Sequence, residues 1–259
     1  MIRAAALPLY DWPELREATD GFWSILAQRL EAAGLSAPVE LTRDQDPAIL
    51  WDSPGLLISQ SCGLRHVDGA ARGTRIICAP VYEVEGCGAG RMSAVILGRR
   101  DGPADLAALQ GARYAVEGPD SRFARAALLD AIGAPALGET VWAPTPREAL
   151  IALADGRAEA ACLDALSWAL ARLHEPAAAG LVPLAWTDAV AAPPFVTSAL
   201  TETGDRARIR AALVETLLDP RSEPLRQALG FARVVALGDP DYDPLRRLAR
   251  LARSAPAPA

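Results

Sequence analysis

The stretch from Gly111 to Gly133 constrains the fold most, because it combines a buried strand with a helix that follows directly. The pattern predicts a strand over Arg113–Val116, a tight turn, and a helix over Ser121–Ile132 that the final glycine ends. A helix that begins where a buried strand ends directs unpaired N–H groups and the positive end of its dipole beyond the sheet. We therefore expect this junction to form one half of a site for an anion or a carbonyl oxygen.

Strand and helix signals alternate along the rest of the chain, which predicts an α/β protein with mostly parallel strands. The elements predicted this way include strands over Val39–Thr42 and Arg91–Arg99, a helical turn over Pro47–Trp51, and a helix that begins at Thr145 or Pro146 and ends at Ala154. The strand-to-helix junctions form two sets, separated by a break near residue 102, so the chain is expected to fold into two domains with a double crossover. Ligands collect at the carboxyl ends of the strands in such sheets.

Composition excludes several classes of function. The chain has 259 residues, of which 51% are apolar, and its net charge is −6 without any basic block, which argues against a nucleic-acid partner. No apolar run is long enough to span a bilayer. All 26 basic residues are arginine, so enzymes that need a Schiff-base or phosphate-loop lysine are excluded. The two histidines, His66 and His174, lie far apart in the sequence, which argues against a histidine metal site or a catalytic triad.

The four cysteines form no CxxC pair, so neither a zinc site nor a dithiol redox motif is indicated. Cys78 and Cys162 lie in apolar runs and are interpreted as small core residues. Cys62 and Cys87 each lie beside glycine in a loop, and a disulfide between them is possible if the protein is exported. No metal and no cofactor is predicted.

Several segments resemble, in order along the chain, the phosphate- and phosphonate-type substrate-binding proteins of ABC importers. These segments are Leu56–Gly63, Arg91–Leu97, Ala115–Ser121, Ala161–Trp168 and Pro194–Thr197. The resemblance implies the type II periplasmic-binding-protein fold, an α/β architecture of two Rossmann-like lobes. Each lobe has a central mixed sheet, and two hinge segments join the lobes. Residues 1–98 and 193–259 would form lobe 1, and residues 99–192 would form lobe 2.

The same resemblance implies a set of ligand-binding residues on both lobes. These are Tyr10, Ser59, Gln60, Ser61, Ser93, Asp120, Ser121, Arg122 and Asp164. Hydroxyl and helix N–H groups would hold an oxyanion or carboxylate, and the carboxylate of Asp164 would receive a donor group of the ligand. The phosphonate binders carry a Ser-Thr-Ser-Gly turn where this chain has Ser121-Arg-Phe-Ala124, so the ligand is expected to differ from a phosphonate at this turn. Arg122 either replaces the lost hydroxyls with a bidentate contact or points to solvent.

The expected function is that of a solute-binding component of an ABC importer, which binds a small anionic or zwitterionic solute as a monomer and meets an ABC permease. The alternative is a cytosolic enzyme on the same fold, for which Cys62 is the candidate nucleophile. A ligand-sensing lobe of a regulator is a third possibility, although no DNA-binding helix-turn-helix is visible. The start of the chain reads as a strand and not as a secretory signal. The expected location is therefore the periplasm if a signal has been removed, and the cytoplasm otherwise.

Overall fold

The computed structural model describes residues 3–69, 72–118, 123–133 and 138–254. Its strands are β1 Ala4–Ala6, β2 Leu56–Gln60, β3 Thr74–Tyr82, β4 Cys87–Gly88, β5 Arg91–Met92, β6 Ala94–Arg99, β7 Tyr114–Glu117, β8 Thr140–Ala143, β9 Ala160–Asp164, β10 Leu181–Trp186, β11 Val190–Ala191, β12 Phe195–Ser198 and β13 Phe231–Val235. Its helices are α1 Arg16–Ala32, α2 Pro47–Trp51, α3 Gly63–Val67, α4 Phe123–Ile132, α5 Pro146–Ala154, α6 Ala165–His174, α7 Thr203–Leu218, α8 Glu223–Ala228, α9 Asp239–Tyr242 and α10 Leu245–Ser254.

The chain divides into two compact units. Unit 1 consists of Met1–Glu83 and Ala191–Asp243, and unit 2 consists of Val84–Val190 and Pro244–Ala259. The chain therefore passes from one unit to the other three times, at 83/84, 190/191 and 243/244.

Unit 1 is built around a mixed sheet with the strand order β1-β2-β12-β3-β13. β1 and β2 are parallel, whereas β12 lies antiparallel between β2 and β3. β1, β2 and β3 consequently run in the same direction, and their carboxyl ends lie at one edge of the sheet. Helix α1 turns its apolar face inward, with Phe22, Leu26 and Leu30 buried, and it packs against α7.

Unit 2 contains a second mixed sheet with the order β10-β6-β9-β7-β8. β7 is parallel to both β8 and β9, while β6 is antiparallel to its neighbours β9 and β10. A continuous apolar core fills the space between this sheet and helix α4, and Ile96, Tyr114, Val116 and Leu128 are almost fully buried in it. The structure therefore confirms the predicted α/β class, with one central mixed sheet in each unit. The expectation of mostly parallel strands was wrong, because β6, β12 and β13 each pair antiparallel.

The expected lobe boundaries differ from the structure in two larger segments, and also at residues 191–192, which were expected in lobe 2 and belong to unit 1. Residues 84–98 were assigned to lobe 1, but β6 pairs with β9 and β10, so this segment belongs to unit 2. The C-terminal residues from 244 were also assigned to lobe 1, but α10 packs on α4 of unit 2, where Arg247 forms an ion pair with Asp130. In both cases the partner strand or helix is remote in sequence.

Local sequence signals explain several element ends. Asp46 and Thr145 cap α2 and α5 by accepting hydrogen bonds from the backbone N–H of Ala48 and Glu148, respectively. Helices α1 and α4 are followed by Gly34 and Gly133, whose φ angles of +77° and +78° favour glycine. The strand predicted over residues 39–42 does not form; the backbone there is irregular, although the N–H of Thr42 donates to the carbonyl of Ala5 at 2.8 Å.

Candidate functional site

The carboxyl ends of β1, β2 and β3 bring three polar side chains together in unit 1. Tyr10 follows β1, Gln60 is the last residue of β2, and Tyr82 is the last residue of β3. Gln60 Nε2 donates a hydrogen bond to Tyr82 Oη at 2.8 Å, and the rings of Tyr10 and Tyr82 meet edge to face with centroids 6.0 Å apart. We call these three residues the strand-end cluster. Gln60 and Tyr82 are only 5% and 3% exposed, so their orientation is fixed by packing.

Tyr82 was not among the residues predicted from the sequence. Its position as the last residue of a buried strand is the signal that could have identified it, because polar groups at such positions reach the edge where ligands collect. The ring of Tyr82 also packs against the ring of Phe231, and the two centroids lie 5.5 Å apart. The hydroxyl of Tyr82 accepts a hydrogen bond from Gln60 Nε2, which fixes the position of the amide at the end of β2.

Two serines flank Gln60, and their environments differ. Ser59 Oγ accepts a hydrogen bond from Trp51 Nε1 at 3.1 Å and donates to the carbonyl of Gln60 at 3.2 Å, so its hydrogen bonds are made within the protein. Ser61 Oγ is buried and has no hydrogen-bond partner among the described residues, while the backbone N–H of Ser61 donates to the carbonyl of Pro194. A buried hydroxyl without a partner is costly and is unusual away from functional sites.

In unit 2, Ser93 and Asp164 lie beside each other. The pairing of β6 with β9 sets Ala94 opposite Asp164, and the backbone N–H of Ala165 donates to the carbonyl of Ser93 at 3.1 Å. Asp164 caps helix α6, since its carboxylate accepts from the backbone N–H of Ser167 at 2.9 Å and from the hydroxyl of the same residue. The structure thus unites these two predicted site residues and gives Asp164 a structural role as an N-cap.

The predicted residues Asp120, Ser121 and Arg122 lie outside the described residues. Close by, Arg125 in the first turn of α4 is 6% exposed, and its guanidinium carbon lies 5.3 Å from the ring centroid of Trp142. Burial lowers the pKa of Arg125. The sequence did not single out Arg125, because the alanines and leucines around it predict an ordinary apolar helix and give no sign that the arginine side chain is buried.

The cysteines are present as free thiols in the structure, including Cys62 and Cys87. Cys87 lies in β4, where burial and then the negative charge of Asp164 raise the pKa of its thiol to about 12. Burial also raises the pKa of Cys78, to about 12, as is usual for a core cysteine. No group of three or more His, Cys, Asp or Glu side chains in the described part of the chain could hold a metal ion.

A family model described as the periplasmic substrate-binding protein of ABC transporters for phosphonate matches residues 67–242. The chain belongs to this family. Its function is therefore that of a solute-binding protein of the ABC-transporter class, as the sequence predicted. No curated protein sequence matches the chain.

Solved structures with the family's fold superpose over nearly the whole chain. XAC2383 from Xanthomonas citri, bound to chloride, has a TM-score of 0.75 at 12% identity, with 98% of each chain covered. PhnD1 from Prochlorococcus marinus, in complex with methylphosphonate, has a TM-score of 0.75 at 11% identity, again with 98% of each chain covered. A binding protein of an ABC phosphonate transporter from Pseudomonas aeruginosa has a TM-score of 0.72 at 13% identity, covering 97% of this chain and 86% of its own. These neighbours confirm the two-lobe periplasmic-binding-protein fold.

Within the ranges that the structure describes, no helix has both the length and the apolar character needed to cross a membrane.

Proposed function

We propose that this family member binds a small anionic or zwitterionic solute of the phosphonate, phosphate or carboxylate type, with groups from both units contacting it, and that hinge closure traps the solute. The observation that carries the proposal is the buried hydroxyl of Ser61, which has no hydrogen-bond partner among the described residues and follows Gln60 of the strand-end cluster at one edge of the unit 1 sheet. Hydroxyl and amide N–H donors suit an acceptor-rich anion.

Two further facts support an anionic ligand. Three of the solved structures similar to this chain were obtained with anions, namely methylphosphonate, chloride and, in a second structure of XAC2383, ATP. In the sequence, Arg122 directly precedes α4 and replaces a hydroxyl of the family's Ser-Thr-Ser-Gly motif, and the proposal gives its guanidinium a bidentate contact with the solute. For a zwitterionic solute, the proposal gives the carboxylate of Asp164 a charge-assisted contact with the ammonium group of the solute.

Titration calorimetry against methylphosphonate, 2-aminoethylphosphonate, inorganic phosphate and short carboxylates tests the proposal. We expect at least one of these solutes to bind with a dissociation constant of about 10 μM or below. Substituting Ser61→Ala should weaken that solute about tenfold through the loss of one hydrogen bond to a charged ligand. Ser36→Ala is the matched control, since Ser36 is exposed in unit 1. Absence of binding across the panel, or equal effects of the two substitutions, would contradict the proposal.

We further propose that the protein acts in the periplasm as a monomer, delivers its solute to an ABC permease and does not transform it. The family to which the chain belongs supports this location and this partner. Recovery of each bound solute unchanged, as seen by phosphorus or proton NMR after prolonged incubation, tests the last point. Appearance of a product that the Cys62→Ser variant fails to form would favour the enzyme alternative instead.

A further inference from the structure

Unit 2 contains a cavity of about 500 Å³. Its lining includes neither the strand-end cluster nor Ser61, Ser93 or Asp164. It lies between the second half of α6, the segment that follows this helix, and strand β10. Its lining includes Arg100, Trp168, Arg172, His174, Glu175 and Leu181. The volume falls in the range of pockets that hold small organic molecules.

The cavity is separate from the strand ends at which the family's ligand is proposed to bind. Helix α6 begins directly after Asp164, at the carboxyl end of β9, and runs for 10 residues, which corresponds to about 15 Å. His174 therefore lies at the opposite end of the helix from Asp164. Arg100 follows β6, which is antiparallel to β9, so it also belongs to this opposite end of the sheet.

The charged groups around the cavity favour an anion. Arg100 and Arg172 are cationic, whereas the acidic Glu175 is already neutralised by Arg147, whose Nε lies 2.7 Å from its carboxylate. The backbone N–H of Ala177 also donates to the Glu175 carboxylate, at 3.1 Å.

The two arginines are only weakly engaged. The closest carboxylate oxygen recorded for Arg172 belongs to Glu85, at 3.8 Å, and both side chains are more than half exposed, so this pair is screened by solvent. Arg100 donates to the carbonyl of Ala179 at a long distance of 3.5 Å. Either guanidinium can therefore turn to an incoming anion at little cost.

The remaining wall of the cavity is apolar. Trp168 and Leu181 are only 3% and 4% exposed, so they form a rigid floor that offers a ligand little surface. At the rim, Leu173 is 74% exposed. Bare inorganic ions gain nothing from such a wall, whereas a ligand with a hydrocarbon or aromatic body removes apolar surface from water on binding.

We propose that this cavity is a second ligand site, for a small organic anion in which a carboxylate or phosphate group is joined to an apolar body. The anionic group contacts Arg100 and Arg172, and the apolar body packs against Leu173 at the rim, above the floor formed by Trp168 and Leu181. The site does not depend on the solute bound at the strand ends.

Two-dimensional NMR of the tryptophan indole N–H signals tests this site in the full chain. The chain has 6 tryptophans, and Trp168→Phe identifies the relevant signal by its loss. Benzoate and phenyl phosphate are the probes, and they distinguish a carboxylate from a phosphate ligand; inorganic phosphate carries the charge without the apolar body. We expect a saturable shift of the Trp168 signal with at least one organic probe, with a dissociation constant of about 1 mM or below, and none with inorganic phosphate.

Paired substitutions test the roles of the arginines. The double variant Arg100→Ala/Arg172→Ala should weaken the probe about tenfold or more, because two charge-assisted contacts are lost. Arg157→Ala is the control, since Arg157 is exposed in unit 2 and does not line the cavity; it should change the dissociation constant by less than about twofold. Thermal unfolding verifies that both variants are folded.

Three results would overturn the proposal. The first is the absence of a saturable Trp168 shift with either organic probe. The second is that Arg157→Ala weakens binding of the probe as much as the double variant does, which would show that the arginines act only through non-specific electrostatic attraction. The third is loss of the Trp168 response in Gln60→Ala, which would place the probe at the strand-end cluster. The calorimetric panel on the strand-end site can fail or succeed independently of all three.

Discussion

The ends of β2 in unit 1 and of β9 in unit 2 look alike in sequence, because in each a buried strand finishes in polar residues and leads into a helix. Their hydrogen bonds differ. Gln60 reaches Tyr82, 22 residues away on another strand, whereas Asp164 bonds to Ser167, three residues ahead. The end of β2 therefore connects two strands of its sheet, whereas the end of β9 caps the helix that follows it. Substitution of Gln60 should consequently disturb the contact between two strands, and the structural effect of substituting Asp164 should be confined mainly to one helix.

The largest expected effect concerns the thiol of Cys87 in unit 2, whose pKa is raised to about 12 by burial and then by the charge of Asp164. A raised pKa keeps the thiol protonated until the pH approaches 12, so alkylation by iodoacetamide at pH 8 should be about a hundredfold or more slower than for an exposed cysteine. Mass spectrometry of the labelled peptide measures the rate, and labelling in urea is the control. Rapid labelling of the folded protein would show that Asp164 and burial do not act on this thiol.

The next effect tests the connection between strands in unit 1. Tyr82→Phe removes the acceptor of the buried Gln60 Nε2, which should lower the free energy of unfolding by about 1 to 3 kcal/mol. Urea denaturation measures the change. The double variant Tyr82→Phe/Gln60→Leu removes both partners and should recover part of the loss, as a double-mutant cycle would reveal. Strict additivity of the two substitutions would mean that the two residues do not act together.

In unit 2, Asp164→Ala should lower the free energy of unfolding by about 1 kcal/mol through the loss of the N-cap of α6. Asp164→Asn is the matched control, because asparagine also caps helices and should retain most of the stability. Hydrogen exchange should show the change mainly in the first turn of α6. Equal losses for alanine and asparagine would instead assign the effect to the negative charge and not to the cap.

The smallest effect separates two neighbouring serines. Ser61→Ala removes a hydroxyl that has no partner among the described residues, so the free energy of unfolding should stay within about 0.5 kcal/mol or rise. Ser59→Ala removes one of the two acceptors of Trp51 Nε1, the other being the carbonyl of Gln60, together with the hydrogen bond that Ser59 donates to that carbonyl, and it should be more destabilising, by about 0.5 to 1 kcal/mol. Urea denaturation of the two variants side by side provides the measurement. A larger loss for Ser61→Ala would imply a structural role for its hydroxyl.

Local signals predicted from the sequence were confirmed where one or two residues determine the outcome. The helices over Pro47–Trp51 and Pro146–Ala154 form with the predicted ends, because a capping side chain and a proline act within a single turn. The family resemblance, which rests on whole segments, gave the fold class and the function.

What the sequence did not reveal depends on contacts between distant segments. β13 was not predicted, although it pairs with β3 along the strand that ends in Tyr82. The role of Tyr82 depends on that pairing and on Gln60, and neither can be seen from the residues around position 82. The same reason explains why β6 was assigned to the wrong unit: its apolar run is compatible with either sheet, and only its pairing with β9 decides between them.

The position of β12 in the first sheet has a consequence for how the chain is made. Because β12 lies between β2 and β3, a ribosome must synthesise at least 198 residues before this sheet can close. Helix α10 can pack on α4 only after its own residues, Leu245–Ser254, have been made. Until these segments have been made, the sheet of unit 1 lacks an internal strand and α4 of unit 2 lacks its neighbour, so both units expose apolar surface that chaperones can bind.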